Sequence, residues 1–190
     1  LIAGLDVTNY ADPNWNFKTI SVIGDNVTIK DCTLHAYDQV SCIYMYDPRY
    51  NSGTDTSYIQ SYRFEDNYLD MGNEYPPGIR ISSGPGWSGD VSNRIISGNT
   101  FDWGSYGIEF VGPGGDSWDV YPVGAATVTG NTFSDQVKGS VVAWGKYKDA
   151  VGYGDLDWDG IWNSNTFDKA VIVKTPGDEV RYYDYTGGPP

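Results

Sequence analysis

Five short segments of the chain share one pattern of apolar and polar positions. In each segment an apolar residue lies three positions before a pivot residue, and a second apolar residue lies two positions after it. Successive pivots are separated by 32 to 35 residues. The pivots are Cys32, Asn67, Asn99, Asn131 and Asn165. The preceding apolar residues are Ile29, Phe64, Ile96, Val128 and Trp162, and the following ones are Leu34, Leu69, Phe101, Phe133 and Phe167. A register kept over five units predicts a repeat protein.

A second apolar stretch follows in each unit, and its residues alternate between apolar and other side chains. Such alternation predicts a β-strand with one buried side and one solvent-facing side. Apolar residues at the i, i+3, i+4, i+7 spacing of an amphipathic helix are not sustained anywhere, so we expect no helix. The five stretches are residues 42–45, 78–81, 107–110, 140–143 and 170–173.

A unit of two or three short strands cannot bury its own apolar side, but stacked units bury a continuous core. In such a stack, inward asparagines at the pivots are expected to form a hydrogen-bonded ladder. The stretch I-I-S-G-N-T-F-D-W-G-S-Y-G-I-E-F (95–110) resembles the parallel β-helix repeat of the pectate-lyase-like superfamily. More weakly, the chain is similar to disaggregatase-related surface β-helix modules of methanogenic archaea. The resemblance implies an all-β, right-handed parallel β-helix of about five to six rungs. We expect one domain over 1–190, with rungs over roughly 20–175 and a C-terminal run-out over 176–190.

Composition restricts the partners of such a stack. The formal net charge is −13, so a nucleic-acid partner, which requires clustered Lys and Arg, is not expected. No apolar run approaches the roughly 18 residues that a membrane span needs, and membrane insertion is not expected. Aromatic residues make up 15% of the chain, with 16 Tyr and 7 Trp. These features favour an extracellular or cell-surface protein.

Equivalent positions of successive rungs lie side by side in a β-helix, which brings two carboxyls together. Asp70 and Asp102 hold one such position, and their carboxyls are expected about 5 Å apart, as in retaining glycosidases. Like charges at this separation would raise the pKa of one carboxyl, as a general acid requires. His35 is expected beside Asp70 as a substrate-binding residue. The alternative is that Asp follows these strands because it caps the local backbone.

A second column follows the outward positions of the later strand in each unit. Arg80 is the candidate base of a polysaccharide lyase, because it would lie beside Glu109. Tyr44 would extend the same surface for saccharide binding. The alternative is a solvent-exposed surface with one ion pair that contributes little to stability.

The loops hold many of the aromatic residues, which suit sugar recognition and also protein interfaces. The candidate sugar-binding side chains among them are Trp87, Trp103 and Trp118. Packing of each loop against its own rung is the alternative.

The stretch D-L-D-W-D-G over 155–160 has the carboxylate spacing of a calcium loop. An EF-hand is excluded, since its twelfth position is Thr166 and the pattern places Trp162 in the core. Asp155, Asp157 and Asp159 remain candidate ligands of a bound Ca²⁺, or simply an acidic loop. Two cysteines and one histidine are too few for a zinc site. Cys32 and Cys42 form either one disulfide or two buried thiols.

The predicted function is an extracellular carbohydrate-active module that binds an extended polysaccharide. The sequence leaves open whether the module also cleaves it, as a glycosidase or as a lyase. The alternative is a non-catalytic structural module of a surface layer, sheath or fibre. No capping helix is evident at either end of the repeat, which suggests neighbouring domains of a larger chain or self-association.

Overall fold

The chain folds into three sheets of parallel strands, which we label A, B and C. The computed structural model describes residues 1–10, 19–22, 24, 26–37, 41–46, 61–72, 77–82, 93–111, 126–136, 139–144, 158–167, 171–174 and 180–183. Through most of the stack, each unit of the repeat contributes one strand to each sheet, and strands of successive units pair side by side. This arrangement is a parallel β-helix, and the prediction of the fold is confirmed.

The strands of each sheet follow one another in chain order. Sheet A contains β1 (Ile2–Ala3), β4 (Val27–Lys30), β7 (Tyr62–Glu65), β10 (Arg94–Ser97) and β13 (Thr127–Thr129). Sheet B contains β2 (Asp6–Tyr10), β5 (Thr33–Tyr37), β8 (Tyr68–Asp70), β11 (Thr100–Asp102), β14 (Thr132–Ser134) and β16 (Thr166–Phe167). Sheet C contains β3 (Ile20–Val22), β6 (Ile43–Tyr46), β9 (Ile79–Ser82), β12 (Tyr106–Val111) and β15 (Gly139–Trp144).

The asparagine ladder forms at the pivots, between sheets A and B. Asn99 Nδ2 donates to Asn131 Oδ1 at 2.9 Å and to the Phe64 carbonyl at 2.9 Å. Asn99 Oδ1 in turn accepts from the backbone and side-chain nitrogens of Asn67. The same pattern continues from Asn131 to Asn165. Because buried polar groups require partners, each asparagine fixes the register of its neighbours.

Stacked phenylalanines fill the core behind sheet B. The ring centroids of Phe101 and Phe133 are 4.8 Å apart, and those of Phe133 and Phe167 are 5.1 Å apart. Gly107 lies against this stack so closely that an added Cβ would meet Phe133 Cδ1 at 2.4 Å. Gly78 has the same relation to Phe101, at 2.6 Å. Both glycines are therefore needed for close approach.

The N-terminal rung does not follow the sequence pattern of the other units. Strands β1, β2 and β3 lie at the N-terminal edges of sheets A, B and C, respectively. Ile2 is aligned with Ile29, and Val7 is aligned with Leu34. Leu5 takes the pivot position, and its carbonyl accepts a hydrogen bond from the Thr33 amide. The alignment of the five segments did not include this rung, because its pivot is apolar.

The last unit departs from the prediction. Its first segment forms a helix, α1 (Trp158–Ser164), which packs against β13 instead of adding a strand to sheet A. Ile161 is buried, whereas Trp162 is only partly buried and stacks on Phe167. The expectation of no helix was thus wrong. Trp162 packs against the core as a partly buried side chain, and Ile161 is the buried residue of this segment. Asn165 ends the helix by donating from Nδ2 to the Ile161 carbonyl at 2.7 Å, while it keeps its place in the ladder.

The C-terminal segment also differs from a simple continuation of the stack. Strands β17 (Val171–Lys174) and β18 (Val180–Tyr183) form an antiparallel hairpin, and β17 lies against β15. Part of the expected run-out is therefore a strand. Helix α1 and this hairpin cover the C-terminal ends of sheets A and C, where a solenoid needs protection of its edges. Across the described residues, no helix is long and apolar enough to cross a membrane.

Candidate functional site

The residues predicted to form the site lie on two different sheets. One aligned column is on sheet B, and the other is on sheet C, so the candidates do not converge on a single catalytic centre. The sheet B column contains His35, Asp70 and Asp102. The sheet C column contains Tyr44, Arg80 and Glu109.

The outward side of sheet B is a polar and aromatic surface. Along each strand, buried residues alternate with partly exposed ones, so that Leu34, Leu69 and Phe101 point into the core. We define the sheet B face by the side chains that point the other way. On β5, β8 and β11 they are Thr33, His35, Tyr37, Tyr68, Asp70, Thr100 and Asp102.

Asp70 is held by donors from three places. His35 Nδ1 lies 2.9 Å from Asp70 Oδ2, and the Gly72 amide donates to Asp70 Oδ1 at 2.8 Å. The Tyr37 hydroxyl makes a longer contact with Oδ2, at 3.5 Å. The prediction that His35 neighbours Asp70 is confirmed by the register of β5 and β8.

Asp102 has a different partner on the neighbouring rung. The Tyr68 hydroxyl donates to Asp102 Oδ2 at 2.8 Å. This hydrogen bond, together with partial burial, raises the pKa of Tyr68 to about 12, because both favour the protonated phenol. The hydroxyl therefore stays protonated, and remains a donor, in more alkaline solution than an ordinary tyrosine does. The Tyr68 ring is 38% exposed and lies edge-on to His35.

Asp70 and Asp102 occupy adjacent rungs, in the register that the sequence predicted. Parallel strands are about 4.8 Å apart, which suits a pair of cooperating carboxyls. In the described contacts, however, each carboxylate accepts hydrogen bonds, whereas a retaining glycosidase needs one carboxyl that gives up a proton. The catalytic assignment therefore stays a prediction.

Trp103 follows Asp102 at the end of β11. Its backbone has φ 64°, and its side chain is 49% exposed. A left-handed conformation costs roughly 1–2 kcal/mol for a residue with a Cβ. Asp135 has the same turn conformation one rung later, and aspartate adopts it readily. The result is an exposed indole next to the sheet B face.

In the sheet C column, Arg80 and Glu109 form an ion pair. Arg80 Nε lies 3.5 Å from Glu109 Oε2, without the alignment of a hydrogen bond. Glu109 is almost buried, and the Arg80 side chain is 41% exposed. Tyr44 aligns with Arg80 on the next strand. The predicted adjacency of Arg80 and Glu109 is confirmed, and their role in a lyase reaction stays a prediction.

Several candidates lie outside the part of the chain that the structure describes. They are Trp87, Trp118, Asp155 and Asp157. Asp159 belongs to α1, and only its backbone is described. Within the described ranges, no group of three or more His, Cys, Asp or Glu side chains could hold a metal ion. The calcium site therefore stays a prediction.

The two cysteines are both free and buried, so the disulfide alternative is not adopted. Burial raises the pKa of the Cys42 thiol far above its ordinary value, and the nearby charge of Asp70 acts in the same direction. Cys32 Sγ donates to the Lys30 carbonyl at 3.2 Å. Both residues act as small core side chains.

Sequence reasoning missed Tyr37 and Tyr68 as parts of the site. The signal was present, because each lies two residues from a column residue on its own strand and so shares its side of the sheet. Which carboxylate each hydroxyl contacts depends on side-chain conformations that the pattern does not encode. Comparisons with protein families, with curated proteins and with solved structures found no match to this chain.

Proposed function

We propose that this chain is an extracellular or cell-surface module that binds an extended polysaccharide across the sheet B face. One observation carries the proposal: partly exposed rings and carboxylates lie side by side on neighbouring strands of one surface. His35 and Asp70 form one hydrogen-bonded pair, Tyr68 and Asp102 form the next, and Trp103 follows.

The physical basis is the mixed character of sugars. Aromatic rings cover the apolar faces of pyranose rings, while carboxylates accept hydrogen bonds from their hydroxyls. The strand spacing of about 4.8 Å repeats these groups along the stack. Stacked repeats provide extended binding surfaces, which suit a polymer better than a single small molecule.

Cleavage is a finer part of the proposal. Hydrolysis would use Asp70 and Asp102 on the sheet B face. Elimination would use Arg80 beside Glu109 and would require the polymer to reach sheet C. The two reactions leave different products, since hydrolysis creates reducing ends and elimination also creates a new double bond that absorbs in the ultraviolet. A module that only binds produces neither.

The proposal is tested with a panel of polysaccharides and two alanine variants. Tyr68→Ala removes a ring and a donor from the sheet B face, and Arg63→Ala is the control on sheet A, where the exposed Arg63 pairs with Glu65. We expect Tyr68→Ala to weaken retention by about tenfold or more, the effect of losing a central aromatic contact, and Arg63→Ala to leave it unchanged. Binding that depends on Arg63 and not on Tyr68 would contradict the proposal.

A structural module of a surface layer, sheath or fibre is the second candidate. At the N-terminal edge of sheet B, β2 pairs with β5 on one side and has no strand partner on the other among the described residues. An unpaired edge is a template for pairing with another chain. Ordered multimers at micromolar concentration, with no polysaccharide retained, would favour this candidate.

A further inference from the structure

The charges around the sheet B face indicate which polysaccharide it accepts. Building on the proposed function, we infer that the ligand is a polymer of amino sugars whose free amines are protonated, rather than a neutral or uronate polymer. The inference concerns the contacts of Asp70 and Asp102 and the exposed rings beside them.

The sheet B face carries carboxylates without a lysine or arginine among its described residues. Its one basic side chain is His35, and His35 Nδ1 already contacts Asp70. The described cations of sheets A and C lie elsewhere in the fold and are paired or buried. Lys30 pairs with Asp31, Arg63 with Glu65 and Arg80 with Glu109, and Arg94 is buried.

An ammonium group fits this chemistry. It donates charge-assisted hydrogen bonds to a carboxylate, and these are about twice as strong as neutral ones. It is also attracted to the face of an aromatic ring within about 6 Å. Asp102 has acceptor capacity beyond the single described bond from Tyr68. Two exposed rings lie beside it: Tyr68, which contacts it from the neighbouring rung, and Trp103, the next residue in the chain.

A uronate polymer would instead be repelled, because it carries the same negative charge as the carboxylates of the sheet B face. Its carboxylates would approach Asp70 and Asp102 without a described lysine or arginine on this face to pair with them. Like charges brought together across an interface reduce affinity and act as a specificity element. The net charge of −13 adds a repulsive field, although salt screens that field beyond about 10 Å.

The test compares three oligosaccharides of equal length in a calorimetric titration. They are hexamers of glucosamine, of N-acetylglucosamine and of galacturonate. We expect the glucosamine hexamer to bind about tenfold more tightly than its acetylated form, since acetylation removes one charge-assisted contact. Asp102→Asn should abolish this difference. Asp31→Asn is the matched control, because it makes the same charge change on a turn where asparagine tolerates φ 54°.

Each outcome separates the inference from the proposed function. Equal affinity for the two hexosamine hexamers overturns the inference and leaves the proposed function standing. Tighter binding of galacturonate also overturns the inference alone. A preference for glucosamine that Asp102→Asn retains in full shows that the Asp102 carboxylate does not select the ammonium group, and it overturns the inference too. If none of the hexamers or the longer polysaccharides binds, both fall.

Discussion

Replacing Asn99 by alanine is expected to lower the free energy of unfolding by about 3–5 kcal/mol. The side chain is buried, and its Nδ2 donates to Asn131, to the Phe64 carbonyl and to the Ser97 carbonyl. Its Oδ1 accepts from both nitrogens of Asn67. Alanine leaves several of these groups buried without a partner, and each such group costs about 1–3 kcal/mol. Urea denaturation followed by circular dichroism measures the change.

Asn163→Ala is the control for this prediction. Asn163 is exposed on α1, so its replacement should change stability by no more than about 0.5 kcal/mol. Asn99→Asp adds a second comparison, because it keeps the shape and the acceptor while it removes the three donor contacts. If Asn99→Ala proved as mild as Asn163→Ala, the ladder would not hold the rungs in register.

The stack of phenylalanines gives the second large effect. Phe133→Ala should destabilise the fold by about 3–5 kcal/mol, since it leaves a cavity between Phe101 and Phe167. Gly107→Ala should cost about 1–3 kcal/mol, because the new Cβ would lie 2.4 Å from the Phe133 ring and 2.8 Å from the Ser140 carbonyl.

The double variant tests whether these two residues act through the same contact. With the ring removed, the Cβ that Gly107→Ala introduces enters the vacated space, so the loss should be smaller than the sum of the single losses. The Ser140 carbonyl stays in place, and relief is therefore incomplete. Strictly additive losses in urea denaturation would mean that Gly107 is required for the backbone contact rather than for the ring.

Most of the stack could be predicted from the sequence because one spacing serves every rung. The sequence spacing of Ile96, Asn99 and Phe101 determines which side chains of this rung point inward. Because the other units keep the same spacing, it also determines which residues pair between neighbouring strands. The pattern failed at both ends for physical reasons. In the first rung, the pivot position is held by the apolar Leu5. In the last unit, α1 packs against β13 instead of pairing with it as a strand, and no further strand of sheet A follows among the described residues.

The candidate site was predictable in position and less so in contacts. Register alone brought His35, Asp70 and Asp102 together. The sequence already assigned Arg80 and Glu109 to a separate column on the later strand of each unit, and the structure places those strands in sheet C. The hydrogen bond from Tyr68 to Asp102 crosses between rungs at a diagonal, and it depends on a side-chain conformation.

The central claim is that the sheet B face and the exposed Trp103 beside it bind polysaccharide. The most direct test is the dissociation constant of Trp103→Asn for the polysaccharide that the intact chain retains best. Asparagine accepts φ 64°, so the turn should persist. Leu5→Asn, which replaces another exposed apolar side chain, is the control. We predict that Trp103→Asn binds at least about tenfold more weakly, with the control unchanged. Equal affinity of Trp103→Asn and the intact chain would contradict the account.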